Sequence, residues 1–171
     1  MEPAETERVL ARVATRFDGV VPNLYRVLAR SPVALNAFVA LEAMLDHAPL
    51  LGRGAHALIA LEVAVEARCR YCEGVFVKEA EAAGVVGESV EAVRRGALPE
   101  APADGDVVAA TRRLVATDGR LGRVETAAFR ERGLGEAELL EMLTVIATYR
   151  LATAANNLAR TRIDPEYRLD R

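Results

Sequence analysis

Tryptophan is absent from this chain, histidine and cysteine occur twice each, and Phe and Tyr number four each. An aromatic-rich β-sandwich core is therefore a poor fit, and the abundant Ala, Leu and Val favour close packing of helix on helix. Two cysteines can neither build a zinc site alone nor staple a chain of 171 residues into a fold. The two histidines lack paired spacing, so no metal site is expected from them and the cysteines. No uninterrupted apolar run reaches the roughly 20 residues that a membrane helix needs. The net charge of -3, with signs interspersed, leaves no basic footprint for nucleic acid. Residues Met1–Glu7 are acidic and lack an apolar signal segment, which points to the cytoplasm. No internal repeat, Gly-rich phosphate loop or sustained β-alternation is present.

What remains is helix after helix, and the expected class is an all-α multi-helix bundle. The spacing predicts helices over Glu5–Phe17, Asn23–Ala29, Pro32–His47, Ala55–Ala67, Cys69–Ala83, Glu88–Arg94, Asp104–Thr117, Arg123–Arg132 and Glu136–Leu158. Ser31-Pro32 is a good helix start, a cap followed by proline at the first helical position. Pro49 and Gly52–Gly54 break the third helix from the fourth. Ala55–Ala67 is apolar on nearly every side except Glu62 and Glu66, which marks a buried helix. One domain over 1–160 is expected, followed by a polar, loose tail over 161–171. The Ala-rich helices Ala55–Ala83 and Glu136–Leu158 carry more apolar surface than a small domain easily covers, so a homo-oligomer is expected through them.

The chemistry concentrates in Cys69-Arg70-Tyr71-Cys72. Thiols three positions apart on a helix are neighbours and can bridge. In a reducing compartment such a pair is more often catalytic or metal-binding than structural. The competing reading is two small buried hydrophobes, which free cysteines often are. Glu66 and Glu73 lie about one turn either side of Cys69, and Glu62 one turn further back. Each is a candidate proton carrier, although carboxylates also oppose thiolate formation, and Arg68 and Arg70 favour it. All five charges have the plain alternative of a solvated face. His56, on the feeding helix, is the better substitute base, while His47 suits a helix C-terminus. Tyr149 and Asn156 could reach a pocket beside the dithiol or simply pack.

Taken in order, three segments resemble the alkylhydroperoxidase D-like proteins of the carboxymuconolactone decarboxylase superfamily. They are Gly19–Pro32 with its Pro22-Asn23-Leu24, the helix Ala55–Ala67 leading into Cys69–Cys72 with Tyr71 before the second cysteine, and Phe129–Asn157. The resemblance spans roughly Phe17–Leu158. It implies an all-α fold, oligomerisation through helical faces and, in redox members, a dithiol that reduces peroxides. It also implies Cys72 as the attacking thiol and Cys69 as its disulfide partner. The departures are equally specific. Redox members carry a His where Phe76 stands and a Glu where Ala57 stands, which together form a proton relay. Their Asn-Gly before the first cysteine is replaced by Ala67-Arg68, so a milder break between the helices is expected.

The leading expectation is a cytoplasmic thiol–disulfide oxidoreductase acting through Cys69 and Cys72, with Glu66 and His56 as substitute relay groups. Peroxide is its expected substrate, a dithiol protein its reductant, and no cofactor is implied. The alternative is a non-catalytic helical oligomer that binds a small apolar ligand or a protein partner. Lactone decarboxylation fits less well, because that branch does not depend on a cysteine pair.

Overall fold

The computed structural model describes residues 3–47 and 50–169. Among these the secondary structure is helical: α1 Pro3–Arg16, α2 Asn23–Leu28, α3 Pro32–His47, α4 Arg53–Glu66, α5 Arg70–Ala82, α6 Gly87–Arg94, α7 Pro102–Thr117, α8 Arg123–Glu131 and α9 Glu136–Ala159, then a 3-10 turn Pro165–Tyr167. Each expected helix is present, with ends shifted by up to two residues. The break expected at Pro49 lies outside the described residues. Ser31 Oγ accepts from the Ala34 N–H at 3.4 Å, as a helix cap should. Asp118 and Gly119 end α7 in left-handed conformations, at φ 49° and 74°.

The organising element is α4, which packs against α5, α6, α7 and α9. Two apolar clusters meet on it. Leu58 and Leu61 enter the first, with Val9, Leu24, Leu35, Phe38 and Val77. Ile59 and Val63 enter the second, with Leu114, Phe129, Met142 and Val145. Neighbouring residues of α4 thus serve different clusters, which is why its sequence has almost no polar face. Truncating Leu58 to Ala at such a site costs about 2–5 kcal/mol. The apolar surface of α4 that suggested an oligomer interface is therefore covered within the chain itself.

Two expectations fail around the cysteines. The α4–α5 break is not mild. Arg68 takes the left-handed conformation, φ 51°, and the Cys69 N–H closes onto the Ala64 carbonyl at 2.9 Å. A side chain there costs about 1–2 kcal/mol that glycine would not. Cys69 consequently lies just before α5 rather than inside a helix.

The second correction concerns 161–169, which is docked rather than loose. Asp164 is 7% exposed and accepts from the Tyr71 hydroxyl at 2.5 Å and the Asn23 N–H at 3.0 Å. Tyr71 in turn accepts from the Leu24 N–H at 3.3 Å. The start of α2 has no side-chain cap of its own and is capped by these distant groups. Gly74 makes the approach possible, since a Cβ there would lie 2.0 Å from the Tyr167 carbonyl oxygen.

Candidate active site

Cys69 occupies the position before the first turn of α5, and Cys72 follows on that turn. Both thiols are free and 2% exposed. The Cys72 thiol donates toward Cys69, holding Cys69 at about 7 against its ordinary 9.0; burial opposes this, and the N–H groups of Cys72 and Tyr71 assist. No side chain closes a full capping hydrogen bond at this helix start. Cys72 is pushed far up, first by donating its proton to Cys69, then by burial and by the charge on Cys69. Asn156 Nδ2 donates to Cys72 Sγ at 3.3 Å and acts in the opposite direction. Within this pair the first proton is therefore lost more readily from Cys69 than from Cys72.

The two cysteines line different spaces. Cys72 lines a cavity of about 440 Å³ between α1, α2, α3, α4, α5 and α9. Cys69 lines a shallower cleft of about 320 Å³, and Tyr71 contributes to both walls. The larger cavity has apolar walls from Phe17, Leu24, Phe38, Val75 and Phe76. An aromatic series runs along it, from Phe17 through Tyr25 and Phe38 to Tyr149 and Phe76, with ring centroids 4.5–6.4 Å apart.

The relay candidates divide sharply. Phe76 and Ala57 both line the cavity and are both 5% exposed, so apolar groups occupy the two positions where the resemblance places a His and a Glu. His56 also lines it, with Nε2 2.7 Å from Glu141 Oε1. Burial works to raise the Glu141 carboxylate, but the N–H groups of Leu50 and Leu51 together with His56 hold it below its ordinary value. Glu66 is not brought to the dithiol cavity. Its side chain is 49% exposed and pairs with Arg150 at 3.3 Å. Glu62 pairs with Arg112 at 2.8 Å and Glu73 with Arg94 at 2.9 Å, and neither lines the cavity. Tyr149 does line it, and Asn156 touches Cys72 directly.

Sequence reasoning missed the cavity's own acid. Glu42 of α3 is 9% exposed on the cavity wall, and its Oε2 accepts from the Tyr25 hydroxyl at 2.7 Å. Burial pushes Glu42 up to about 7; Tyr25 and Arg16, 3.7 Å away, pull it down, and Asp46 and Glu79 add to the rise. Tyr25 is itself raised, by burial first and then by Glu42. The signal was available, because Glu42 falls four residues after Phe38 and seven after Leu35, in the apolar stripe of its helix. No cluster able to hold a metal ion is found among the described residues.

No family model matches this sequence, and no curated protein sequence matches it. Solved structures do. A peroxidase-related protein with an alkylhydroperoxidase D core from Ralstonia eutropha superposes with a TM-score of 0.83 at 18% identity, over 96% of this chain and 88% of the other. A peroxidase-related protein from Silicibacter superposes with a TM-score of 0.79 at 18% identity, over 96% and 87%. A debrominase with a cysteine-to-alanine substitution, in complex with 2,3,4-tribromopyrrole, reaches 0.73 at 17% identity, over 98% and 91%. The fold is that of the alkylhydroperoxidase D core, all-α as the sequence predicts. No helix among the described residues is long and apolar enough to cross a membrane.

Proposed function

We propose that this chain is a thiol–disulfide oxidoreductase of the alkylhydroperoxidase D-like type, which reduces peroxides through Cys69 and Cys72. The observation that carries the reading is the pair itself, two buried free cysteines at the start of α5, one of which lines a cavity. Cys72 attacks the peroxide because it is the cysteine that lines the larger cavity. Cys69, as thiolate, accepts the Cys72 proton during the attack. Sulfur bonds to the near peroxide oxygen, the O–O bond breaks, and the departing alkoxide takes a proton from the carboxyl of Glu42. The products are a Cys72 sulfenic acid, an alcohol, a Cys69 thiol and a Glu42 carboxylate. Cys69 then attacks the sulfenic sulfur, releasing water and forming the Cys69–Cys72 disulfide. Glu42 recovers its proton from solvent.

Glu42 suits this step because its carboxyl is poised near neutrality, where a general acid is most effective. The cavity is far larger than hydrogen peroxide needs and falls in the range of small-molecule sites. A debrominase of this fold holds a bromopyrrole, which supports a ring-bearing substrate. Glu42→Gln should lower peroxide turnover about 10²–10⁴-fold while leaving both thiols present. Full turnover in that variant would remove Glu42 from the mechanism.

The second reading is a helical scaffold that binds an apolar ligand without chemistry. The filling of both relay positions by Phe76 and Ala57 favours it. Thiols that survive peroxide in the folded protein would decide for it. A homo-oligomer is part of the proposal, resting on the exposed Val33 and Met44 of α3, Leu50, and Leu140 and Leu158 of α9.

A further inference from the structure

The cleft over Cys69 has a chemistry that the peroxide step does not use. Arg68, Arg70 and Arg160 line it, and none of the three has an ion-pair partner among the described residues. Arg68 and Arg70 sit at the start of α5, where the helix dipole is positive and a cation is unfavourable. Positive charge is thus concentrated beside Cys69, and no Asp or Glu is among the residues that line the cleft. Two acceptors in the same cleft also lack partners. Asn156 is 3% exposed, and its Oδ1 has no hydrogen bond although its Nδ2 holds Cys72; Thr161 Oγ1 is likewise buried and unpaired. A buried polar atom without a partner is destabilising, and a ligand's N–H that reached it would relieve that.

We propose that this cleft binds the electron donor, a small thiol carrying carboxylates and amide N–H groups, and that Arg68, Arg70, Arg160, Asn156 and Thr161 recognise it. The inference rests on the dithiol reading above and names the donor for the same pair. Carboxylates of the donor meet the guanidinium groups, its N–H groups meet Asn156 Oδ1 and Thr161 Oγ1, and its sulfur faces Cys69. The donor thiolate attacks Cys69 Sγ, the Cys69–Cys72 bond breaks, and the electron pair leaves on Cys72 Sγ, which Asn156 Nδ2 stabilises. A second donor thiolate attacks the donor sulfur of the mixed disulfide. The donor disulfide forms, and Cys69 departs as a thiolate, a good leaving group for a thiol held at about 7. Of the two donor protons, one ends on Cys72 and one goes to solvent. Two donors are oxidised for each disulfide reduced. A dithiol protein, the donor expected from the resemblance, would not need acceptors buried this deeply.

The test separates this step from peroxide chemistry by forming the disulfide with diamide. Thiol recovery is then followed with glutathione and with its diester, which has the same thiol and amides but no carboxylates. At low salt glutathione should reduce the wild type at least about tenfold faster than the diester. High salt should narrow the gap. In Arg68→Gln with Arg160→Gln the ratio of the two rates should collapse toward one, a readout taken within one protein and so insensitive to its stability. Equal rates for the two thiols in the wild type would overturn the proposal. So would an advantage for glutathione that survives the double substitution. Failure of peroxide to oxidise the pair would instead count against the dithiol peroxidase reading and leave the diamide result standing.

Discussion

Replacing Glu42 with Gln tests the buried acid through stability as well as through rate. The carboxyl titrates at about 7 in the folded protein against an ordinary 4.5. A carboxyl whose value is raised on folding holds its proton in the folded chain while the unfolded chain has already lost it. Its favourable contribution is complete below about pH 4.5 and is lost as pH rises to about 7. At about 1.4 kcal/mol per pH unit, the wild type should lose on the order of 3 kcal/mol across that window from this group alone. Gln keeps an acceptor for the Tyr25 hydroxyl and carries no charge. The contact with Arg16 is given up, but that side chain is half exposed and the pair is worth little. Glu42→Gln should therefore flatten the stability curve between pH 4.5 and 7 and be more stable than wild type by up to about 3 kcal/mol at pH 8. Urea unfolding across this pH series measures it. A variant whose stability parallels wild type through the window, or falls below it at pH 8, would refute the buried-acid argument.

Cys72→Ala removes the donor that most lowers Cys69, so the Cys69 midpoint should climb from about 7 toward 9.0 in thiolate absorbance titrations. An unmoved midpoint would assign the depression to the start of α5 alone. Gly74→Ala should undock the C-terminal segment, because its Cβ cannot share space with the Tyr167 carbonyl; hydrogen exchange over 161–169 should accelerate. Phe76→His should cost about 1–3 kcal/mol by breaking the contact with Tyr149, measured by thermal unfolding. Adding Ala57→Glu should raise peroxide turnover more than Phe76→His alone, as a restored relay would require. Sedimentation at micromolar concentration should show an oligomer; a monomer would leave Val33, Met44 and Leu140 without the role given them.

The helices were legible because their signals are local: apolar spacing, the Ser31-Pro32 start, and the Asp118-Gly119 and Gly133 stops. What escaped depends on contacts between distant residues. Asp164 looks like tail polarity until Tyr71 and Asn23 are placed beside it. Glu66 looked close to Cys69 along the chain, yet the left-handed turn at Arg68 redirects α5 while Glu66 faces Arg150. His56, expected as a substitute base, lines the cavity with its ring engaged by Glu141 from the last helix. Glu42 broke the apolar pattern of α3 in plain view. Its significance required Tyr25, from a different helix, to show that the carboxyl is held rather than solvated.

If Cys69 and Cys72 act together on a peroxide, peroxide must consume both thiols, and counting them is decisive. The folded, reduced protein should titrate two free thiols, and a slight excess of an organic hydroperoxide should consume both. Intact mass should then fall by two hydrogens, with one internal link between Cys69 and Cys72. Cys69→Ser should react more slowly, since the base for Cys72 is gone, and its oxidation should stop at a Cys72 sulfenic acid that a dimedone probe traps. Two thiols that persist in the folded protein under peroxide would contradict the account and leave the cysteines as packing groups.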